Sequence, residues 1–527
     1  MDSGAKNYFM KLHRRGEALG VRLFAVKAAL LKYLYDRGFY FDVMKELPDI
    51  FDSFTFDTIA SLWAGEPVSL LDEAPLSLMQ ELKDEVLELL LEEKINLKKE
   101  DETFLGELYQ LFLSSETRKG HGITYTPEDI CEYMTGLVRR EVGESHRMID
   151  PACGCGFFLA GLYRALMNLH YRQENEDAIA AIHRRILTEN LWGADTSAEA
   201  CAISRLTLAL MFPKFVLCPH IFCCDALTQL SSMAGEERFD WVVTNPPYVG
   251  HKQMDPDYRA LLREDYGEVY YDKGDLSYCF FKLGHALLGD GGRLLFVTGR
   301  YLAESLYARG LRRFLLENFR FLSVVDFYGV RPFQNVGVDP MILYLKREYF
   351  PGNAFYAVRL KEKAALLQLE RGSGTPGVLV LQEELNDDGF QFLDEGQKST
   401  ARAVEAKCTC TLDEVMHLFQ GIISGCDKAF VVHDGAEEYR RLIEECGVPW
   451  LKGKHVREGA RFWGQYLLYV TDDADTERIP HTMARLSQYR SLLEKRRECR
   501  RGTRAWYALQ WGRKRELFEQ EKVIFPY

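Results

Sequence analysis

The 527-residue sequence predicts an α/β protein: an open parallel sheet in the middle, a helical region before it and a mixed α/β region after it. Three observations predict this. Short apolar runs ending in Asp150, Asp195, Asp225 and Asn245 recur along residues 146–248, each bounded as a buried strand is bounded. The first run leads at once into a glycine turn and an amphipathic helix through Leu162, Ala165 and Leu166. The four polar residues then fall at the carboxyl ends of successive strands, the crevice in which open parallel sheets bind ligands.

Residues 1–115 come first and are acidic. Asp42 to Glu107 holds eighteen acids against five lysines and no arginine, a net of about -13, in segments such as Leu78 to Leu91 whose apolar spacing is helical. A region of this charge is expected to pack on the central sheet or face a partner protein, not phosphates.

Within residues 116–350, Thr126-Pro-Glu-Asp reads as a helix N-cap with proline in the first turn. His146 to Leu159 reads as strand, turn and helix, with Gly154 and Gly156 letting backbone approach a bound cofactor. Leu191 to Asp195 is a second strand whose acid suits ribose hydroxyls, and Ile221 to Asp225 a third whose acid suits an adenine amino group. Either acid can instead be a helix N-cap or a solvated strand end. Phe239 to Tyr248 is a buried strand that delivers Asn245, Pro246, Pro247 and Tyr248.

That tetrapeptide suits methylation of a planar exocyclic nitrogen, whose lone pair is delocalised into its ring. The Asn245 amide oxygen and the Pro246 carbonyl can accept the nitrogen's hydrogens and turn its lone pair toward a methyl donor. The two prolines hold those acceptors in one geometry, and Tyr248 offers a flat face for an extruded base. The plainer reading is a strand ending in a proline turn beside a core tyrosine.

In order and spacing these motifs resemble the gamma-type S-adenosylmethionine-dependent adenine-N6 DNA methyltransferases of restriction-modification and phage-defence systems, strongly over about residues 105–350. The resemblance implies a Rossmann-like methyltransferase sheet with S-adenosylmethionine as cofactor. It places Tyr125, Thr126 and Pro127 against the cofactor's methionine portion. Asp150, Pro151, Ala152, Gly154 and Gly156 become the cofactor loop, with Cys155 where serine is more usual, and Asp195, Thr196, Asp225 and Ala226 complete the pocket. Asn245 to Tyr248 become the catalytic segment, and Phe333 and Tyr344 are candidates to stack on the flipped base beside Tyr248. Thr298-Gly-Arg-Tyr stands where the family has a proline after its strand. Transfer is expected to be direct, with neither a covalent enzyme intermediate nor a metal.

Residues 351–405 carry no catalytic signal and read as a connecting extension with a few strands. Residues 406–527 follow. Gly421 to Val432 and Trp450 to Val456 resemble a TaqI-like target-recognition domain, whole or incomplete here, which implies DNA-facing roles for Lys428, Lys452, Lys454 and Arg457. Arg485 to Lys522 holds twelve basic residues against five acids, interleaved with Tyr489, Trp506, Tyr507 and Trp511. Basic residues mixed with aromatics fit phosphate contact and base readout, which adds Arg500, Arg504, Arg513 and Lys514.

Composition bounds the rest. No run of about eighteen apolar residues occurs, so neither membrane spanning nor export is indicated, and thirteen cysteines point to a reducing cytoplasm. Cys153/Cys155, Cys223/Cys224 and Cys408/Cys410 do not make a four-ligand zinc set. Pro48-Asp49 and Glu81-Leu-Lys83 superficially fit a nuclease pattern, but the helical spacing of Leu76 to Glu93 opposes it. The expected partners are double-stranded DNA and either a polypeptide completing the recognition domain or a separate nuclease subunit. Alternatives are methyl transfer to protein glutamine or RNA, and a cofactor-binding recognition subunit without turnover of its own.

Overall fold

Among the described residues, nine strands form one sheet: β1 (Met148–Asp150), β2 (Leu191–Asp195), β3 (Ile221–Cys223), β4 (Phe239–Thr244), β5 (Leu288–Gly299), β6 (Arg320–Asp326), β7 (Pro340–Lys346), β8 (Ala354–Arg359) and β9 (Val378–Leu381). Their order is β3-β2-β1-β4-β5-β7-β6-β8-β9. The computed structural model of the chain describes residues 1, 3–18, 23–38, 55–64, 68–71, 80–92, 94–113, 126–173, 175–212, 216–333, 339–362, 365–370, 377–417, 419–433, 435, 437–452 and 464–524. Tyr125, Lys454 and Arg457 lie outside them.

β1 to β5 are parallel, with Ile149 registered to Trp192 on β2 and to Val242 on β4. Both faces of β4 are covered, which is why Trp241, Val242 and Val243 are all buried and the strand reads as a continuous apolar run. The strand order reverses between β1 and β4, which opens a crevice at their carboxyl ends.

β7 runs antiparallel between β5 and β6. The stretch read as a connecting extension continues this sheet: β8 lies parallel to β6, and β9 antiparallel to β8.

The chain divides into two units, Met1–Arg402 and Ala403–Tyr527. In the first, the acidic amino-terminal helices pack on the sheet's helical layer. Phe9, Leu30, Leu105 and Leu108 share one core with Ile203 and Leu206 of the helix Ala198–Leu210. Arg205 ties the layers together by donating to the carbonyls of Leu70 (2.8 Å) and Ile221 (2.5 Å). Gln80–Leu91 is a helix, as its periodicity predicts, so Glu81 to Lys83 are not on the strand that a metal nuclease needs.

In the second unit β12 (Gln465–Leu468) pairs antiparallel with β10 (Val431–His433) and β11 (Gly447–Pro449). Phe430, Leu467, Leu468, Leu486 and Leu509 form its core. Among the described residues no helix is long and apolar enough to cross a membrane.

Candidate functional site

The turn after β1 is held by the strand beside it. Cys153 N donates to Ala194 O at 2.9 Å and Gly154 N to Asp195 Oδ2 at 3.0 Å, so the loop folds over the end of β2. Gly154 (φ 50°) and Gly156 (φ 85°) lie in the left-handed region that side chains disfavour. Their surroundings differ. A β-carbon at Gly156 would stand 2.6 Å from Ser204 Oγ, whereas one at Gly154 would meet nothing within 4 Å. Gly156 therefore serves helix packing, and Gly154 leaves open space above the loop.

Cys155 occupies its position for a packing reason. It is buried in the core shared with the amino-terminal helices, against Gly106, where a β-carbon would come within 2.7 Å of it. Cys153 belongs to a different core cluster.

Two acids hold this loop. Asp150 Oδ1 accepts from Ala152 N (3.0 Å) and Thr244 Oγ1 (2.7 Å). Burial pushes its carboxyl up to about 7, although those two bonds oppose the shift. Asp195 also accepts from Ser197 N at 2.8 Å, and burial raises its pKa. Ser197, not Asp195, caps the helix that follows.

Asp225 does cap the next turn, through Leu227 N at 3.0 Å, so its capping reading holds. Tyr258 hydrogen-bonds to the same carboxylate. Nothing in the sequence around Asp255-Pro-Asp-Tyr258 singled that tyrosine out. Each carboxylate oxygen keeps a further lone pair, so acceptors remain for a diol or an amino group.

At the end of β4, Asn245 Nδ2 donates to Thr126 Oγ1 at 2.9 Å. Tyr248 OH donates to Asn245 Oδ1 at 2.7 Å. These bonds set the amide's orientation, nitrogen toward Thr126 and oxygen toward Tyr248. Burial raises the Tyr248 hydroxyl well above its ordinary range, which keeps it a donor.

One expectation changes here. The helix Glu128–Glu141 has Pro127 at its N-cap position with no side-chain cap, so Thr126 does not cap it. The buried Thr126 hydroxyl is spent on Asn245.

The second stacking aromatic is corrected too. Tyr344 registers with Leu295 and Ser323 inside the sheet, stacks on Trp241 (6.0 Å, 15°), and donates its hydroxyl to Glu141 at 2.7 Å. A ring so committed and buried cannot receive a base. Phe333, in the loop after β6, is also buried in the core.

In the second unit, basic residues divide by their partners. Lys452 is paired with Asp427 (2.5 Å) and Arg504 with Asp472. Lys428, Arg500, Arg513 and Lys514 are exposed and make no ion pair among the described residues. Arg496, within the basic stretch, donates instead to the carbonyls of Leu493, Ser424 and Trp506.

Residues 189–333 match the family model described as Eco57I restriction-modification methylase. The chain is 21% identical over 439 residues to a type II methyltransferase, M.BstVI, of Geobacillus stearothermophilus, covering 77% of each. It is 29% identical over 215 residues to an adenine-specific methyltransferase, PglX, of Streptomyces coelicolor, covering 31% of this chain and 17% of that protein. The fold matches that of MmeI, a type IIL restriction-modification enzyme solved in complex with DNA, with a TM-score of 0.61 and 16% identity over 97% of this chain and 78% of that one.

Proposed function

We propose that this chain, a relative of the restriction-modification methyltransferases, transfers a methyl group from S-adenosylmethionine to the exocyclic N6 of an adenine turned out of a DNA duplex. S-Adenosylmethionine is the cofactor of this kind of enzyme, and when bound it supplies an electrophilic methyl group on a positively charged sulfonium. The residues present fit it. Gly154 leaves space over the loop, Asp195 and Asp225 retain acceptors for ribose hydroxyls and an adenine amino group, and buried Asp150 lies at the same loop.

One observation carries the reading: the Asn245 amide is oriented by Thr126 on its nitrogen and by the Tyr248 hydroxyl on its oxygen, at the carboxyl end of the strand beside that loop. Asn245 Oδ1 and the Pro246 carbonyl accept the two N–H bonds of the target amine, which frees the nitrogen lone pair to attack. An amine is neutral before transfer and positively charged after it, and its surplus proton passes to solvent.

Tyr248 has two roles in sequence. Its hydroxyl fills the Asn245 acceptor in the free chain, so base entry requires it to let go, and its ring then provides the stacking surface.

Incubation of the chain with methyl-tritiated S-adenosylmethionine and duplex DNA, ribosomal RNA or cell protein tests the reading. Label is expected in DNA alone, with single-molecule sequencing placing it on adenine in a fixed sequence context. Label only in RNA or protein, or on cytosine, would overturn it.

A further inference from the structure

We propose that Leu306 is the side chain that fills the gap left in the duplex when the target base swings out. This rests on the reading that the chain methylates DNA, and nothing in the resemblance or the comparisons assigns the residue a role. Leu306 is 77% exposed, although burial of a leucine favours folding. It stands on the single 3-10 turn Leu306–Ala308, in the loop that leaves the carboxyl end of β5.

The leucine is exposed, yet the loop that presents it is held at every side. Ser305 Oγ accepts from Tyr307 N at 3.2 Å, and Tyr271 OH donates to the Leu306 carbonyl at 2.5 Å. Lys273 Nζ donates to Tyr307 OH at 2.8 Å.

Beneath the turn, fully buried Arg312 gives Nη1 to the carbonyls of Leu302 (2.7 Å) and Ser305 (2.9 Å). Its Nε and Nη2 go to those of Asp387 (2.9 Å) and Asp388 (3.1 Å). Burying a guanidinium against carbonyls alone is costly, and here it fixes the loop that carries an exposed leucine.

The turn is also tied to the catalytic segment. β5 lies beside β4, with Phe296 registered to Thr244, so its loop leaves the sheet next to Asn245. On the other side Gly250, two residues past Tyr248, bridges to Asp275, and Leu276 N donates to Val249 O at 3.0 Å. The same short segment, Tyr271 to Asp275, therefore braces Leu306 at one end and the Tyr248 loop at the other.

A base cannot leave its stack without opening a hole, and apolar side chains on rigid supports fill such holes. Lys273, bonded to the neighbouring Tyr307, sets a positive charge beside the leucine that suits an adjoining phosphate.

Single-turnover methylation by the full chain distinguishes this role. Two duplexes carry a sequence that the wild-type chain methylates: one with the target adenine paired to thymine, the other with an abasic position opposite it. Leu306→Ala is expected to slow transfer roughly tenfold or more on the paired duplex and to leave the abasic one within about twofold, since unpairing there costs little. Leu306→Met, which keeps apolar bulk, is expected to retain the wild-type rate. Thermal melting and cofactor affinity of both variants should match wild type, the side chain being exposed.

Equal slowing on both duplexes, or none on either, would overturn the proposal, the latter pointing to contact with another protein. Failure of the wild-type chain to methylate any duplex would instead overturn the DNA reading, and this proposal with it.

Discussion

Replacing Thr126 with valine tests whether the hydroxyl serves Asn245 or the cofactor. Valine has threonine's shape and lacks only the oxygen that accepts Asn245 Nδ2 at 2.9 Å. Thr126 is buried, so water cannot readily take its place. The amide then either keeps its pose with an unsatisfied donor or turns over and presents N–H groups to an amine that needs acceptors. An unsatisfied buried donor costs about 1–3 kcal/mol, and at about 1.4 kcal/mol per factor of ten this becomes a loss of roughly 5- to 150-fold in kcat/KM. Thr126→Ser keeps the oxygen and is expected to stay within about threefold of wild type. The assay pairs single-turnover methyl transfer to duplex DNA with calorimetric titration of S-adenosylmethionine, whose Kd should move less than about threefold if the hydroxyl serves Asn245, because valine keeps the shape and loses only that oxygen. A parallel fall in cofactor affinity would refute the assignment and return Thr126 to the methionine-contacting role that the resemblance implies. Full activity in the valine variant would refute it as well.

Tyr248→Phe removes the hydroxyl that occupies Asn245 Oδ1 and keeps the ring, so kcat/KM is expected within about fivefold of wild type, one neutral hydrogen bond in scale. Tyr248→Ala also loses stacking, worth about 1–3 kcal/mol per base, and steady-state rates should fall by a further roughly 5- to 150-fold; equal rates for the two variants would deny the ring its role. Asp150 is raised by burial to about 7 in the folded chain from an ordinary 3.8. Its contribution to stability is therefore fully present below about pH 4 and is lost as pH rises through about 7, so thermal melting between pH 4 and 8 should depend less on pH in Asp150→Asn. Affinity for the cationic cofactor is expected to rise with pH through the same window as Asp150 ionises, and that for uncharged S-adenosylhomocysteine to rise less; identical pH profiles would remove the electrostatic role. Gly156→Ala, whose β-carbon would lie 2.6 Å from Ser204 Oγ at φ 85°, should lower the melting temperature the more, whereas Gly154→Ala meets nothing in the chain, costs about 1–2 kcal/mol in backbone strain, and should lower cofactor affinity because its methyl enters the space assigned to the cofactor. Differential scanning fluorimetry with and without S-adenosylmethionine separates them, and equal losses would contradict the packing distinction.

What could be read along the chain was whatever a short stretch of backbone decides for itself. β1, β2 and β4 announce themselves because both faces are buried, and Asp150, Asp195, Asp225 and Asn245 stand at the ends of β1 to β4 because side-chain spacing and turn chemistry are local. Pairing over long distances leaves no such trace. Thr126 meets Asn245 across 119 positions, and locally its hydroxyl followed by Pro-Glu-Asp resembles a cap so well that the real partner is hidden. Tyr344 fails for a related reason: a continuous apolar run marks β7 as a buried strand but not its direction. Its antiparallel course between β5 and β6 places that ring against Trp241. Charge counting meets the same limit in the second unit, where Lys452, Arg496 and Arg504 are committed to Asp427, backbone carbonyls and Asp472. The basic stretch thus has fewer free cations than its composition promises, while the first unit has an apolar contact that composition could not show. An exposed Leu306 is unremarkable as a letter in a sequence. It becomes a functional residue only when the buried Arg312, fixing the loop that carries it, is seen beneath it.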